Sequence, residues 1–94
     1  MWALGEACSM TKAQVMTPRQ TFARNIRRTR RLQEMSQEAL ALKAGLSRAY
    51  LSEVEREIRN ISIDNMGLLA EALNVALKDM LDPALFSQIK HADV

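Results

Sequence analysis

The sequence predicts an all-α domain of five short helices, and three observations carry that prediction. Apolar residues recur at helical spacing, and no stretch alternates as a half-buried strand would. Thr17, Ser36, Ser47 and Ser62 each stand just before such a stretch, where a hydroxyl can cap a helix N-terminus. Three Gly and two Pro in 94 residues, 48% of them hydrophobic, suit a folded helical globule rather than a disordered chain. A chain this short encloses one core, so its function has to come from one surface, doubled if the protein dimerises.

Residues 1–17 precede the domain and show no clear period. With Met10 and Met16 as candidate starts, they read either as a flexible or start-site extension or as a short extra helix. Thr17-Pro18 then reads as an N-cap followed by Pro at the first helical position, opening a helix to about Gln33. Its inward side holds Phe22, Ile26, Thr29 and Leu32, and Arg19, Arg24, Arg27, Arg28, Arg30 and Arg31 crowd the remainder. Ser36 caps a second helix, Gln37 to Ala44, with Leu40, Ala41 and Ala44 inward and Gly45 just past its end. Ser47 caps a third, Arg48 to about Glu57, in which Leu51 and Val54 point to the core while Arg48, Ala49, Ser52 and Glu53 point away. Ser62 caps a fourth, ending near Asn74. A fifth runs from about Leu77 to Leu81 and is broken by Asp82-Pro83, so the domain spans 18–82. The tail, 83–94, carries Leu85, Phe86 and Ile89, enough for a further helical turn.

Composition removes several classes of function. Cys8 has no partner for a disulfide, and no CxxC, HExxH or Cys/His cluster offers a metal site, so neither metal nor cofactor is expected. No apolar run approaches the roughly 18 residues of a membrane span, and cytoplasm is the expected compartment. Paired carboxylates, a nucleophile beside a base and a phosphate-binding glycine loop are all missing, and His91 stands alone, so no enzyme is expected. Charge is unevenly placed. Residues 1–59 hold eleven Lys/Arg against six Asp/Glu, and residues 60–94 hold two against five. Basic charge gathered on one part of a fold suits a polyanionic partner.

Residues Gln37 to Arg56 satisfy the steric demands of a helix-turn-helix. Two short helices crossing steeply need a small residue at their closest approach and a permissive residue in the turn. Ala41 is that small residue, Gly45 stands in the turn, and Leu40, Ala44, Leu46, Leu51 and Val54 fill the shared core.

The chain resembles the phage-repressor-like helix-turn-helix regulators, the Cro/repressor or Xre type, over about residues 20–82. The matching residues are Ile26-Arg27 and Arg30, the run SQEALALKAGLSRAYLSEVER from Ser36 to Arg56, and RNIS from Arg59 to Ser62. Within that family the pattern S-R-x-Y-L-S, then E-R, then R-N-I-S is most similar to the controller proteins of restriction-modification systems. The resemblance implies a compact five-helix domain that reads double-stranded DNA with its third helix in the major groove. Arg48, Ala49, Ser52, Glu53 and Arg59 would then face base edges. Arg48 is the best candidate for a guanine, because its guanidinium fork matches the O6/N7 pair. Ala49 has nothing to offer but contact with a thymine methyl, and Glu53 would either accept from cytosine N4 or repel wrong sites. Gln37, Arg24, Arg27, Ser47, Tyr50 and Asn60 would hold phosphates. The resemblance also places Arg30 against Glu55 as a structural ion pair rather than on DNA. For the arginine-rich first helix and for Tyr50, a solvated or packing role stands beside the phosphate role.

One recognition helix reads only a few base pairs, so a homodimer on an inverted repeat is expected. Leu77, Met80, Leu81, Leu85, Phe86 and Ile89 are apolar in excess of what a small core needs, and they read as the dimer interface or as a cap on the monomer's own core. Repression would block a promoter, and activation would present a patch to RNA polymerase. The alternative to a transcription regulator is an antitoxin that binds a toxin as well as its own operator.

Overall fold

The computed structural model describes residues 16–86, and the expectations attached to residues 1–15, Ile89 and His91 lie outside them. Five helices make up the described part: α1 Pro18–Leu32, α2 Gln37–Ala44, α3 Arg48–Glu55, α4 Ile63–Ala72 and α5 Leu77–Met80. Among the described residues there is no strand, no helix long and apolar enough to cross a membrane, and no cluster of three or more metal-ligating side chains.

Each of the first four helices starts on a hydroxyl. Thr17, Ser36, Ser47 and Ser62 accept the backbone N–H three residues on, at 3.0–3.1 Å. Thr17 and Gln20 form a reciprocal capping box, with the Gln20 side chain accepting the Thr17 N–H at 2.9 Å. The same four helices end alike. A left-handed residue closes each of them, Gly45 as the cap of α2 and Glu34, Glu57 and Asn74 one past the caps of α1, α3 and α4, with φ of 77°, 58°, 68° and 61°. The next N–H then reaches back five residues: Met35 to Arg30, Leu46 to Ala41, Ile58 to Glu53 and Val75 to Ala70. These are Schellman closures, which satisfy the last helical carbonyls and turn the chain sharply.

Only one of the four left-handed residues is glycine. At Gly45 an added Cβ would meet nothing within 4 Å, so Gly45→Ala is expected to lose about 1 kcal/mol through backbone strain alone, read from the urea midpoint of unfolding. A loss above about 3 kcal/mol would show a steric role that the open space around this position excludes.

Phe22, Ile26, Leu40, Ala41, Leu51, Val54, Leu69, Leu73 and Met80 form the centre of one core. α2 packs on α3 and α4, while α1 lies across α3 and α5. This arrangement holds α3 by its inner face and leaves its outer face clear. Three details differ from the sequence reading. Leu32, expected inward, is 62% exposed, because α1 outruns the core and Met35, brought back by the closure, packs there instead. α3 stops at Glu55 rather than Glu57, since Glu57 is the left-handed residue of its closure. Met80, expected at a dimer interface, is fully buried in the monomer. The buried Asn25 amide donates to the Met80 carbonyl at 2.9 Å and the Asp82 carbonyl at 3.0 Å, tying the single turn of α5 against α1.

Candidate nucleic-acid interface

The two helices of the motif are locked from behind by Glu55, whose carboxylate is buried at the end of α3. Arg30 grips it with two bonds, Nε to Oε2 at 2.7 Å and Nη2 to Oε1 at 2.9 Å, and gives Nη1 to the Met35 carbonyl at 2.9 Å. Gln37 Nε2 donates to Glu55 Oε1 at 3.0 Å, and Arg27 Nη1 donates to the Glu55 backbone carbonyl at 2.9 Å. One carboxylate therefore joins α1, α2 and α3. No buried side-chain nitrogen or oxygen among the described residues lacks a partner, so the network is closed on itself.

On the outer side, Arg48 and Ala49 are exposed and Ser52 and Glu53 are half-buried, forming the free face of α3. An open concavity beside it is lined by Arg30, Arg31, Ser36, Gln37, Glu38 and Arg48. It collects the N-terminus of α2 and the guanidinium groups of Arg31 and Arg48. An anion finds backbone donors, a positive helix end and two arginines there, with Glu38 as the opposing charge. Arg31 was not among the residues assigned to phosphate from the sequence. Its signal was the four-residue spacing from Arg27, which sets both on one flank of α1.

The other flank of α3 carries a second group. Asn65 of α4 donates to the Tyr50 hydroxyl at 3.0 Å and steadies the ring. The Arg59 guanidinium lies over that ring, 5.0 Å from its centre, and both Nε and Nη2 of Arg59 sit 2.7 Å from Glu53 Oε1. Asn60, next along, accepts from Arg19 at the start of α1. Sequence spacing revealed neither Arg19 nor Asn65 as supports, because each reaches its partner across the fold.

The remaining expected positions fall out as follows. Ser47 is exposed with its Oγ occupied as the α3 cap, and Arg24 is exposed on α1. Leu77, Leu81 and Leu85 are half-buried and pack on the edge of the monomer's core, and Phe86 lies under Arg28, whose Cζ is 5.6 Å from the ring centre. Of the apolar group expected at a dimer interface, the described part thus leaves Leu77, Leu81, Leu85 and Phe86 partly accessible and removes Met80.

A bihelical unit with a clear outer face on its second helix, flanked by basic side chains and the N-terminus of α2, defines a helix-turn-helix domain of the kind that docks on double-stranded DNA. The helix-turn-helix family model matches residues 26–80, more than half of the chain, and the protein belongs to that family. It is similar to the control protein C.SmaI of Serratia marcescens, with 38% identity over 66 residues, 70% of this chain and 79% of that one. Over 48 residues it is 50% identical to the control protein C.BamHI of Bacillus amyloliquefaciens, a match covering 51% of this chain and 59% of that protein. Among solved structures, it resembles the restriction-modification controller protein C.AhdI from Aeromonas hydrophila. That likeness has a TM-score of 0.64 and 38% identity, over 68% of this chain and 96% of the other. The hypothetical transcription factor NHTF from Neisseria matches with a TM-score of 0.71 and 39% identity, over 80% and 85% of the two chains.

Proposed function

We propose that this protein is a sequence-specific regulator that binds an inverted-repeat operator as a homodimer and acts as the controller of a restriction-modification system. The observation that carries the reading is the free face of α3, presented by a closed buried network between a basic concavity and the Tyr50–Arg59 group. The control and controller proteins among its relatives support the narrower assignment over an antitoxin.

Arg48 is the principal base reader, with Arg59 entering the groove beside it and Ala49, Ser52 and Glu53 lining the remaining surface. Phosphates are held on one side by Gln37, Arg31 and Arg27 around the α2 N-terminus, and on the other by Tyr50 and Asn60. Gln37 and Arg27 keep donors to spare, because each spends one N–H within the protein. Arg24 and Ser47 add outer contacts. Dimerisation uses Leu77, Leu81, Leu85 and Phe86, together with Ile63 and Leu68 of α4, which are 66% and 41% exposed on the helix that packs against α5. The site of action is the cytoplasm, where RNA polymerase is either excluded or recruited.

Selection from a random duplex library, followed by footprinting on the selected sequence, tests this. The expected product is an inverted repeat with half-site centres about one helical turn apart. A single unrepeated site would overturn the homodimer. On the selected duplex Arg48→Ala is expected to cost about 1–3 kcal/mol and to relax preference at one base pair per half-site. An equal loss on shuffled DNA would reduce Arg48 to a phosphate contact.

A further inference from the structure

We infer that Glu53 acts as an electrostatic counterweight to Arg59, holding that arginine on the Tyr50 ring in the free protein so that random phosphates capture it poorly. The inference rests on the reading above that Arg59 enters the groove, and it assigns Glu53 a task other than contacting a base.

The geometry has three parts. Asn65 fixes the Tyr50 hydroxyl, so the ring forms a shelf of set position. The Arg59 guanidinium lies on that shelf at cation–π distance. Glu53 Oε1 then takes two guanidinium nitrogens, Nε and Nη2, each at 2.7 Å. Arg59 and Glu53 are six residues apart, on opposite sides of the α3 closure, and the left-handed turn at Glu57 is what brings them together. A free arginine on an exposed loop would keep its full rotamer freedom. Here its plane and two of its donors are engaged.

The pair is solvent-accessible, with side chains 47% and 35% exposed, so it is weak and opens readily. That weakness lets a strong DNA contact displace it. On random DNA, Arg59 would exchange one carboxylate for one phosphate, a trade of like interactions with little net gain. It would also leave the Glu53 charge unpaired close to the DNA backbone. On the operator, a guanine offers a fork-shaped acceptor pair that random contact lacks, and the exchange becomes favourable. Glu53 therefore subtracts from both complexes: by its full pairing strength on the operator, where the guanine contact outweighs it, and by no more than that on random DNA, where it holds the gain from Arg59 near zero.

The experiment uses the full chain and two duplexes of equal length, the library-selected sequence and a shuffled version of it, titrated across a range of salt. Four proteins are compared: wild type, Glu53→Gln, Arg59→Ala and the double variant, each checked for an unchanged melting temperature, expected because both side chains are solvent-accessible. Glu53→Gln is expected to raise affinity for the shuffled duplex by up to about fivefold, and for the selected duplex by at least as much. It should also steepen the salt dependence on shuffled DNA toward one more phosphate equivalent, a slope change of about 0.9. In the Arg59→Ala background the same substitution should produce little of this gain.

Each other outcome is decisive. An equal gain with or without Arg59 would show a plain loss of negative charge near DNA and overturn the pairing role. Weaker binding of Glu53→Gln to the selected duplex, with altered preference at one base pair, would make Glu53 a base reader and also overturn it. Undiminished binding of Arg59→Ala to the selected duplex would instead remove Arg59 from the interface, which is the failure of the underlying reading.

Discussion

Glu55→Ala is expected to destabilise the domain by about 3–5 kcal/mol, because it leaves the Arg30 guanidinium buried without its counter-charge. The ion pair itself need not be a large net source of stability, since two charges have been taken out of water to form it. What is expensive is half of it. Against a total stability of about 5–15 kcal/mol for domains in general, such a loss would bring the protein close to unfolding at room temperature. Thermal and urea unfolding followed by circular dichroism will measure it. The double variant Arg30→Met/Glu55→Leu removes both charges and should recover most of the loss, which separates burial of a lone charge from mere loss of packing. A Glu55→Ala variant within 1 kcal/mol of wild type would show that Arg30 finds water or another acceptor. The consequence for DNA binding is indirect but large. Gln37 loses its anchor and the end of α3 loses its Arg30 tie to α1, keeping only the Arg27 bond to the residue 55 carbonyl, so the concavity and the recognition face lose much of their mutual register.

Leu51→Ala carries the second large effect, about 2–5 kcal/mol of stability. Leu51 is fully buried on the inner face of α3, within the cluster that includes Leu40, Phe22 and Val54. Its methyl groups are part of the seat on which the recognition helix rests. Truncation leaves a void between helices already closed by short turns, and the cost depends on how far they can collapse into it. Leu42→Ala is the matched control, since Leu42 is 81% exposed on α2 and its truncation should fall within about 0.5 kcal/mol of wild type. If the two variants unfold at the same urea concentration, the seat is not where the burial of Leu51 places it.

The local features were open to a reader of the sequence because their causes span four residues or fewer. The hydroxyl caps at Thr17, Ser36, Ser47 and Ser62, the inward set Leu40, Ala41, Ala44, Leu51 and Val54, and the turn at Gly45 each follow from a spacing and a side-chain type. The other three left-handed closures could not be read in the same way. Glu34 and Glu57 are poor candidates for positive φ, and Asn74 is only a fair one. They adopt it because the closure satisfies two end carbonyls. At Met35 and Val75 it also returns an apolar residue to the core. Ile58 follows Glu57 in the same geometry yet stays 62% exposed, so at α3 the backbone bonds alone accompany the turn.

The free face of α3 was legible for a related reason. Arg48, Ala49, Ser52 and Glu53 are the outward positions of an amphipathic helix, whatever that helix packs on. Their partners were not. Whether Glu53 would face a base or an arginine depended on where the chain goes after α3, and that direction is set by the backbone at Glu57.

Sequence alone, then, determined the helices, their starts, the inner and outer faces of the helix-turn-helix and the concentration of basic charge in the first 59 residues, since each comes from local propensity and period. Tertiary structure decided which charges meet. Arg30 reaches Glu55 across 25 residues, a pair that the family resemblance implied but no spacing in the chain reveals, and Asn25 reaches Met80 across 55. It also decided that Met80 faces inward, because a single helical turn has too few residues for a period to reveal its buried side. The physical reason is common to all three. A side chain's partner is chosen by the crossing of helices distant in sequence, and that crossing exists only once the core has formed.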